Sequence, residues 1–516
     1  MNINKYEYKT LLISVSRVWR YSNTGVDQIA GYLKENNYKF TVKYYHNGQS
    51  ASQIIGDIPI DFNLYGFSVH SSNYQKSCEV AKYIKKMNPN AIIVFGGTFP
   101  TIYYREIMCE HSFLDYIILG DGEKPLQILI DHLISKREEP LLNRSIVSKT
   151  DNIGKIPYCN KEISYSPVYY YYENDTPERN ARKIYCLQTK NNICTGKCAF
   201  CIERKGPIVY KEIDQIVEEI RYVAHKFGIK KFFFTDDNIL DPDNKSAKER
   251  IRKLCYKIKA LNMNLVFECY IKAISLRDNK DDNELLKLME ETGFVTIFVG
   301  LESGNNQDLI LYNKRSTVED NYKIIEIFNK HNVNMLMGFI YFNPYSTLET
   351  VRKNYEFLTN IKSTNLFHYI STFLSIHKYT EIYEKAKNDE LLTNDFGILN
   401  NMSYEFKDKE VYEIVKFIRT FMSERARNLE YELDWIYTYY KECVRVNSKA
   451  LKYDEEFKYL KSTQFVIMKE FFYNLYVKND LEKCRYEVDK FMKYFENIQS
   501  RLSEIYKDLV ILFSYD

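Results

Sequence analysis

The sequence predicts an α/β protein made of three parts: a doubly wound parallel sheet, a partial (βα)6 barrel and a helical C-terminal region. Short apolar runs alternate with helical patterns over roughly the first 140 residues, and strand and helix patterns then recur about every 30 residues. From about Asp395 onward the apolar periodicity is helical throughout. The predicted boundaries are 1–140 for the sheet domain, 141–180 for a linker, 181–394 for the barrel and 395–516 for the helical domain.

The N-terminal part alternates predicted strands with predicted helices. The strands are Thr10–Val15, Phe40–Tyr45, Leu64–Val69, the run AIIVFGG that ends on Gly96 and Gly97, and the run YIILGDGE that ends on Gly120 to Glu123. One helix covers Gly25–Leu33, and another runs from about Tyr74 to Met87 and stops before Pro89. This alternation predicts a Rossmann-like sheet, whose ligands lie at the carboxyl ends of the strands. Glycine-rich turns at that edge let backbone approach a ligand closely.

A proline-containing linker with the tract SPVYYYYENDTPERN leads to the predicted barrel. The barrel strands are the run KIYC before the first cysteine loop, then Lys230–Thr235, Leu265–Tyr270, Gly293–Gly300, Met335–Phe342 and Leu366–Leu374. The pairs Ser316 with Glu319 and Ser346 with Glu349 are typical of capping boxes that start helices. Active sites of such barrels collect at the carboxyl ends of strands, so polar residues there are the candidates.

Three cysteines, Cys194, Cys198 and Cys201, carry the strongest functional signal, with the spacing C-x3-C-x2-C. Thiolates are the usual ligands of iron–sulfur clusters, and a four-iron cluster held by three of them keeps one iron open. A zinc site would need a fourth Cys or His close by, and none lies between Cys201 and His225. Scattered core thiols are the other alternative. The pattern favours a [4Fe–4S] cluster, and the scatter of the remaining cysteines fits a reducing cytosol and argues against a second cluster.

This cysteine loop resembles that of the radical S-adenosylmethionine (SAM) superfamily, in which the open iron binds the amino and carboxylate groups of SAM. The likeness extends from about Lys183 to about Leu392. It implies SAM contacts from Phe200 near the adenine, from Asp236, Asp237 or Asn238 of the TDDN loop near the amino group, from Lys272 at the carboxylate and from Glu302 of GLESG at SAM or its ribose. The alternative for each polar residue is a solvated loop position or a helix cap.

One segment departs from the family pattern. Many relatives have G-x-P-G-E-T after the fifth barrel strand, whereas this chain has FNPYSTLET, which keeps Pro344 and Glu349 and lacks both glycines. The departure predicts a subfamily with a different substrate face.

The glycine-rich turns of the N-terminal part resemble loops of the cobalamin-binding domain found ahead of many radical SAM domains. The segments are GGTFPT, LGDGEKPL and the SSN run. The likeness implies cobalamin contacts from Ser68, Ser72, Gly96, Gly97, Thr98, Gly120, Gly122 and Glu123. The D-x-H-x-x-G motif is absent, because His46 follows Tyr44 where an Asp should be, so we expect no histidine ligand to cobalt. A vestigial domain without corrinoid is the alternative, and NAD binding has less support because no G-x-G-x-x-G follows the first strand.

Together these resemblances imply a cobalamin-dependent radical SAM enzyme of class B architecture. A 5′-deoxyadenosyl radical would take a hydrogen from an unreactive carbon, methylcobalamin would methylate that carbon, and a second SAM would remethylate cobalt. The runner-up is a non-methylating rearrangement, cyclisation or epimerisation, and a rival from another class is a corrinoid- or cluster-based sensor. The substrate class stays open among natural-product intermediates, peptides, lipids and tetrapyrrole precursors, and no residue is assigned as catalytic. An electron donor such as flavodoxin or ferredoxin is expected.

Bulk properties exclude some other roles. A formal charge of +3 gives no basic surface that would argue for nucleic acid. The N-terminus lacks the apolar region of a signal peptide, and the sequence has no run of 18 apolar residues, so we expect a cytoplasmic protein without a membrane span. The helical C-terminal domain is expected to pack on the barrel, and the alternative is that it closes the barrel mouth and contributes to substrate choice.

Overall fold

The computed structural model describes residues 7–16, 24–46, 48–135, 146–148, 183–191, 193–202, 208–363, 366–393, 403–421, 424–478 and 480–514. The chain divides into two compact units, Met1–Leu187 with Glu218–Ile229 and Gln188–Val217 with Lys230–Asp516. The four-part division derived from the sequence remains a prediction. Among the described residues, no helix combines the length and the apolar character needed to cross a membrane.

The first unit is built on a six-stranded sheet. Its strands are β1 (Thr10–Ser16), β2 (Phe40–His46), β3 (Leu64–Ser68), β4 (Ile92–Gly96), β5 (Tyr116–Ile118) and β6 (Ile146–Ser148). Its helices include α1 (Thr24–Glu35), α2 (Ala51–Asp57), α3 (Tyr74–Met87), α4 (Thr98–Glu110) and α5 (Glu123–Ser135). The strand order is β2-β1-β3-β4-β5-β6, and all pairs are parallel except the antiparallel pair of β5 and β6. The predicted doubly wound sheet is confirmed.

Buried apolar residues explain this arrangement. Strand β1 buries Leu11, Leu12 and Ile13 in succession, as strands covered on both faces do. Helix α1 buries Val26, Ala30 and Leu33, the apolar stripe expected from its helical spacing. The parallel strands therefore end together at one carboxyl edge, where the glycine-rich turns lie.

Strand β6 is a difference from the predicted linker over 141–180. Ile146 and Val147 are buried, and the strand pairs antiparallel with β5 in the register Ile118 to Ile146. Two consecutive apolar residues are too short a signal to separate an edge strand from a linker by periodicity. The remainder of the predicted linker lies outside the described residues.

The barrel strands occupy the places predicted for the first five. They are β7 (Ile184–Leu187), β8 (Lys231–Phe234), β9 (Val266–Lys272), β10 (Phe294–Glu302) and β11 (Asn334–Phe339), and β8 to β11 stand side by side in parallel. The helices along this part of the chain are α6 (Ile213–Phe227), α7 (Lys245–Lys259), α8 (Lys280–Thr292), α9 (Asn306–Leu311), α10 (Val318–Asn329) and α11 (Leu348–Asn360).

The predicted sixth strand, Leu366–Leu374, is wrong over its first half, which forms helix α12 (Leu366–Ile370). Leu366, Tyr369 and Ile370 are buried at a spacing that suits a helix as well as a short strand, and periodicity alone does not separate the two. The second half retains a single parallel bridge between Phe342 and Phe373.

The two predicted capping boxes are displaced by one residue. Thr317 with Asp320 caps α10, and Thr347 with Thr350 caps α11, each with reciprocal side-chain and backbone hydrogen bonds. Ser346, a predicted cap, is instead buried and accepts a hydrogen bond from the Asn343 backbone N–H (2.9 Å). Adjacent Ser and Thr offer the same hydroxyl, so the sequence pattern does not determine which of them caps the helix.

The C-terminal region is helical, as predicted. After α13 (Glu381–Asn388), which lies within the part predicted as barrel, its helices are α14 (Lys409–Phe421), α15 (Glu424–Val446), α16 (Asp454–Tyr473) and α17 (Leu481–Ser514). Helix α15 packs at the amino ends of the barrel strands. Lys231, the first residue of β8, pairs with Glu442 of α15 and with Glu268 of β9 (2.8 Å). The Asn334 side chain at the start of β11 donates to Thr438 Oγ1 (3.2 Å). These contacts lie at the end of the strands opposite to the barrel mouth.

Candidate functional site

The cysteine loop follows β7 and carries three partly exposed thiols that form no disulfide. A Cβ added at Gly196 would lie 3.2 Å from Cys194 Sγ and 3.8 Å from Cys198 Sγ, so the first two thiols converge beside this glycine. The Gly196 backbone N–H donates to Cys194 Sγ (3.3 Å), and the Cys201 N–H donates to the Cys198 carbonyl (3.1 Å). Accessible thiols outside any disulfide, in a tight loop, fit an iron–sulfur cluster.

A single metal ion fits this loop less well. In the described part of the chain, no three His, Cys, Asp or Glu side chains are grouped closely enough to hold one ion. Structural zinc needs four ligands around one point, whereas a cluster distributes its thiolates over separate irons. The three thiols of this loop are one ligand short of a structural zinc site.

Asp241 fixes the loop from one side. This buried residue lies after β8, and its carboxylate accepts hydrogen bonds from the Thr195 backbone N–H (2.7 Å) and from the Thr195 hydroxyl. Thr195 stands between the first two cysteines. The position of that stretch is therefore set by a side chain 46 residues away.

The loop after α9 fixes the other side. The Ala199 N–H donates to the Tyr312 carbonyl (2.8 Å), and the Asn313 side chain donates to the Lys197 carbonyl (2.9 Å). The rings of Phe200 and Tyr312 meet edge to face, with centroids 5.5 Å apart. Phe200, predicted to lie near the adenine, is thus held against a buried tyrosine in the stretch between the last two cysteines.

The three predicted residues of the TDDN loop differ in their surroundings. Asp236 is buried and accepts hydrogen bonds from the backbone N–H groups of Thr189 (3.0 Å) and Lys190 (3.0 Å). Burial raises the pKa of Asp236 to about 6, although Lys190 and the amides act in the opposite direction. Asn238 is also buried and donates to Asp243 Oδ1 (2.9 Å). Asp237 is half-buried, so it is the member of the three that a ligand reaches most readily.

Lys272 ends β9 and lies in an ion-pair network beside the cysteine loop. Its Nζ is 3.1 Å from Asp241 Oδ1, 2.5 Å from Asp243 Oδ2 and 3.3 Å from Thr195 Oγ1. Burial lowers the pKa of Lys272, but the attraction of the two carboxylates outweighs it, so the pKa lies above its ordinary value. The residue predicted to pair with the SAM carboxylate thus has protein carboxylates as partners in this structure.

Glu302 ends β10 in a left-handed backbone conformation (φ 66°). Its carboxylate accepts a hydrogen bond from Lys314 Nζ (3.0 Å), whose side chain is 7% exposed. A Cβ at Gly300 would lie 2.7 Å from Glu302 Oε1, so this pair occupies the space that the glycine leaves. A left-handed conformation strains a residue other than glycine, and the contact between Glu302 and SAM remains a prediction.

The FNPYSTLET loop is held by side-chain hydrogen bonds where relatives use glycines. The buried Asn343 amide donates to Asp308 Oδ1 (2.9 Å) and to the Tyr312 hydroxyl (2.9 Å). The Tyr345 N–H donates back to Asn343 Oδ1 (2.8 Å). Asn343 therefore joins this loop to the residues that support Phe200, and it accounts for a folded turn without glycine.

The carboxyl edge of the first sheet presents backbone to its surroundings. Gly97 has φ +106°, and a Cβ there would lie 2.7 Å from the Val69 carbonyl oxygen. A Cβ at neighbouring Gly96 would meet only the Ile118 carbonyl, at 3.9 Å. Ser72 and Thr98, also predicted as cobalamin contacts, are exposed. An edge with so few side chains fits a large flat ligand such as a corrinoid.

The other predicted residues of this edge lie in two adjoining loops. Ser68 ends β3, and its carbonyl and that of Val15 accept hydrogen bonds from the buried Asn73 amide (3.1 Å each). Gly120 has φ 78°, and a Cβ at Gly122 would lie 2.8 Å from Ile29 Cδ1, the end of a side chain that would have to shift. Glu123 is buried in the first turn of α5.

We expect His46→Ala to leave corrinoid binding and cobalt coordination unchanged. His46 Nδ1 accepts a hydrogen bond from the Gly48 N–H (2.9 Å), so the ring is held in the turn after β2. Electron paramagnetic resonance of the cobalt(II) protein is the measurement. Loss of nitrogen hyperfine coupling in the variant would identify His46 as a ligand.

Sequence reasoning missed three residues that fix the site. Asp241, Lys314 and Asn343 act through partners 46, 12 and 31 to 35 residues away. A charged or amide residue just beyond a candidate motif is the signal that could have found them. Such residues are also common in solvated loops, so the sequence alone did not distinguish these three supporting residues from ordinary loop positions.

Two family models match the chain: the B12 binding domain over residues 12–130 and the radical SAM superfamily over residues 190–358. Among solved structures, the cobalamin-dependent SAM radical enzyme OxsB, with aqua-cobalamin and SAM bound, matches with a TM-score of 0.69 and 16% identity. The match covers 98% of this chain and 84% of that chain, and it shows a shared fold.

Curated relatives carry several names. The anaerobic magnesium-protoporphyrin IX monomethyl ester cyclase of Synechocystis is 22% identical over 64% of this chain and 65% of its own length. An uncharacterized methyltransferase of Pyrococcus horikoshii is 22% identical over 64% of this chain and 71% of its own length. The 4'-phospho-dehydrooxetanocin synthase of Priestia megaterium is 24% identical over 71% of this chain and 52% of its own length. The chain thus spans less than two thirds of the length of the first and third of these relatives.

Both domain matches fall on the parts of the chain where the cysteine loop and the glycine-built edge lie. The predicted fold class and family are confirmed by them and by the fold of OxsB. The individual contacts predicted for SAM and cobalamin remain predictions. The chain belongs to the radical SAM enzymes with a cobalamin-binding domain, whose cofactors are a [4Fe–4S] cluster, SAM and cobalamin.

Proposed function

We propose that this protein methylates an unactivated carbon of a natural-product, peptide or related substrate. The observation that carries the proposal is the carboxyl edge of the first sheet, where Gly96 leaves open space beside the backbone and Gly97 is held at φ +106° against Val69. A domain that had lost its corrinoid would no longer need such space, and larger side chains could fill it. Cobalamin can carry a methyl group, and one of the relatives is named as a methyltransferase, so a retained corrinoid edge supports methyl transfer.

The barrel residues have separate tasks in this proposal. When bound, the cluster and SAM supply a hydrogen-abstracting deoxyadenosyl radical, and cobalamin supplies a methyl group. Cys194, Cys198 and Cys201 hold the cluster. Asp237, Lys272 and Glu302 bind and orient SAM.

The Lys314 and Glu302 pair has a further role in binding. Burial lowers the pKa of Lys314, but the Glu302 carboxylate outweighs it, so the pKa stays above its ordinary value and the ammonium is retained. The charged pair holds Glu302 in one orientation. A ribose hydroxyl would then meet a fixed acceptor, which reduces the entropy lost on binding.

The overall stoichiometry fixes what the enzyme needs from outside. Two SAM and two electrons convert one substrate C–H into a C–CH3 group and yield 5′-deoxyadenosine, methionine and S-adenosylhomocysteine. A low-potential donor such as flavodoxin or ferredoxin would supply the electrons. A cytoplasmic location, a small-molecule or peptide substrate and the absence of a nucleic-acid partner belong to the same proposal.

A non-methylating rearrangement, cyclisation or epimerisation is the second candidate. The names of two relatives, a cyclase and a synthase, favour it. The FNPYSTLET loop favours it as well, because Asn343 gives this side of the site a structure that differs from the glycine-rich turn of many relatives. In this reaction one SAM yields deoxyadenosine, and no S-adenosylhomocysteine forms.

We expect the cobalamin-loaded protein to form S-adenosylhomocysteine in an amount equal to bound cobalamin when it is reduced and given SAM without substrate. Methyl transfer requires the methyl group of one SAM to be accepted by the corrinoid before the substrate reacts. Chromatography and mass spectrometry of the nucleosides give the measurement. The matched control is the same protein without cobalamin, which should form none.

A second outcome would reject the methyltransferase. If deoxyadenosine forms and S-adenosylhomocysteine stays at the level of the cobalamin-free control, the second candidate replaces the first. With a candidate substrate, equal amounts of the two nucleosides and a product heavier by one methylene support methylation. Deoxyadenosine alone, with a product of unchanged mass or one lighter by two hydrogens, supports the second candidate.

A further inference from the structure

Asp241 is a fully buried carboxylate beside the cysteine loop with four donors around it. Besides the amide and the hydroxyl of Thr195, its oxygens face Lys272 Nζ (3.1 Å) and the buried Lys190 Nζ (4.0 Å). A buried carboxylate is stable only with such partners. The donors come from the cysteine loop, from the start of that loop and from the end of β9.

The carboxylate itself is held in place from its own side. The Tyr210 hydroxyl donates to the Asp241 carbonyl (2.9 Å), and the Asp241 N–H donates to the Asn238 carbonyl (3.2 Å). Lys272 also pairs with Asp243, which accepts from Ser275 Oγ (2.5 Å). The acceptor is therefore positioned by Tyr210 and by residues that follow β8 and β9, independently of the cysteine loop.

The two halves of the cysteine loop differ in how they are anchored. The half with Ala199 is anchored by a backbone carbonyl and by the Asn313 amide, which are both neutral. The half with Thr195 is anchored by the charged Asp241 carboxylate and by the neighbouring Lys272 and Lys190. Loss of the Asp241 charge would thus change both the geometry and the electrostatics of the first half.

We propose that Asp241 is a positioning residue that fixes Cys194 and Cys198 through Thr195 and balances the charge of Lys272 and Lys190 beside the cluster. The inference rests on the proposed function, because it requires that the cysteines hold a cluster. Groups that support metal ligands typically change metal affinity or activity by about 10–100-fold when removed. Nearby positive charge stabilises the state with the extra electron, so the charge balance also sets the reduction potential.

The test compares Asp241→Asn with the wild-type protein after anaerobic reconstitution. We expect the variant to lose iron to a chelator about 10–100-fold faster. Its remaining cluster should have a less negative midpoint potential in an electron paramagnetic resonance titration, since both lysines keep their charge and lose their partner. A destabilised fold alone does not move the potential of the cluster that stays bound.

Asp282→Asn is the matched control. Asp282 is also buried, pairs with Lys248 (2.8 Å) and accepts from the Arg277 N–H (2.7 Å), and it lies at the start of α8 rather than on the cysteine loop. It should lower the melting temperature and leave the potential unchanged. Should Asp241→Asn not fold, Thr195→Val removes the hydroxyl contacts with Asp241 and Lys272 from an exposed position and should speed iron loss, whereas Thr195→Ser should not.

The outcomes separate this inference from the function on which it rests. A wild-type protein that binds no iron contradicts the proposed function. A wild-type protein with iron, together with Asp241→Asn at unchanged midpoint potential and unchanged rate of iron loss, contradicts only the role of Asp241.

Discussion

Replacing Cys194, Cys198 and Cys201 together by alanine should abolish iron binding and SAM cleavage. The wild-type protein is expected to hold about four irons, with the three thiolates as the predicted cluster ligands. The side chains are only partly buried, so alanine removes little core packing and the fold should persist. Iron analysis, circular dichroism and assay of deoxyadenosine after reduction are the measurements.

Cys109→Ala is the control for this experiment. Its thiol is exposed and lies in α4, away from the cysteine loop in the sequence. Iron content and SAM cleavage should equal those of the wild-type protein. A triple variant that retained its iron and still cleaved SAM would refute the assignment of the cluster to this loop.

Gly96→Leu should remove cobalamin binding and leave the stability of the protein nearly unchanged. A Cβ there meets only a backbone oxygen at ordinary contact distance, so the leucine side chain would extend into the open space at the carboxyl edge. If a corrinoid occupies that space, the two exclude each other. Retention of hydroxocobalamin through gel filtration, together with a thermal melt, is the measurement.

Two companion variants sharpen the result. Gly97→Ala should lower stability by about 1–3 kcal/mol, because φ +106° strains an alanine and its Cβ would contact the Val69 carbonyl. Gly56→Ala lies at an exposed helical position with open space. It should change the stability by no more than about 1 kcal/mol and leave cobalamin binding unchanged. Stoichiometric cobalamin in folded Gly96→Leu would place the corrinoid elsewhere.

Local patterns in the sequence predicted most of the fold. The helix predicted from about Tyr74 to Met87 has those bounds in the structure, since Pro89 stops it and its apolar stripe is strong. The glycine-rich strand ends were also found where the edge lies. By contrast, the nine residues from Leu366 were too short for a periodicity test to separate helix from strand.

The candidate site was predicted less completely, because its supports are long-range. The cysteines carry their own spacing, and motifs near strand ends identify Asp237 and Glu302 as candidates. The contact between Thr195 and Asp241 depends on how the loop after β8 packs against the cysteine loop, and no local sequence pattern predicts that packing. Lys272 was predicted as a partner of SAM, and no pattern indicated that Asp241 and Asp243 surround it.

The ion pairs between Lys231, Glu268 and Glu442 have a consequence for redesign of this protein. Breaking a buried ion pair by removing one partner typically costs about 3–5 kcal/mol, because a charge is left uncompensated. Helix α15 thus contributes to the stability of the barrel, and exchanging it for another helix would remove these ion pairs. A chimera that takes its C-terminal helices from a relative should be less stable unless matching charges come with them, and libraries intended to change substrate choice belong at the opposite end of the strands.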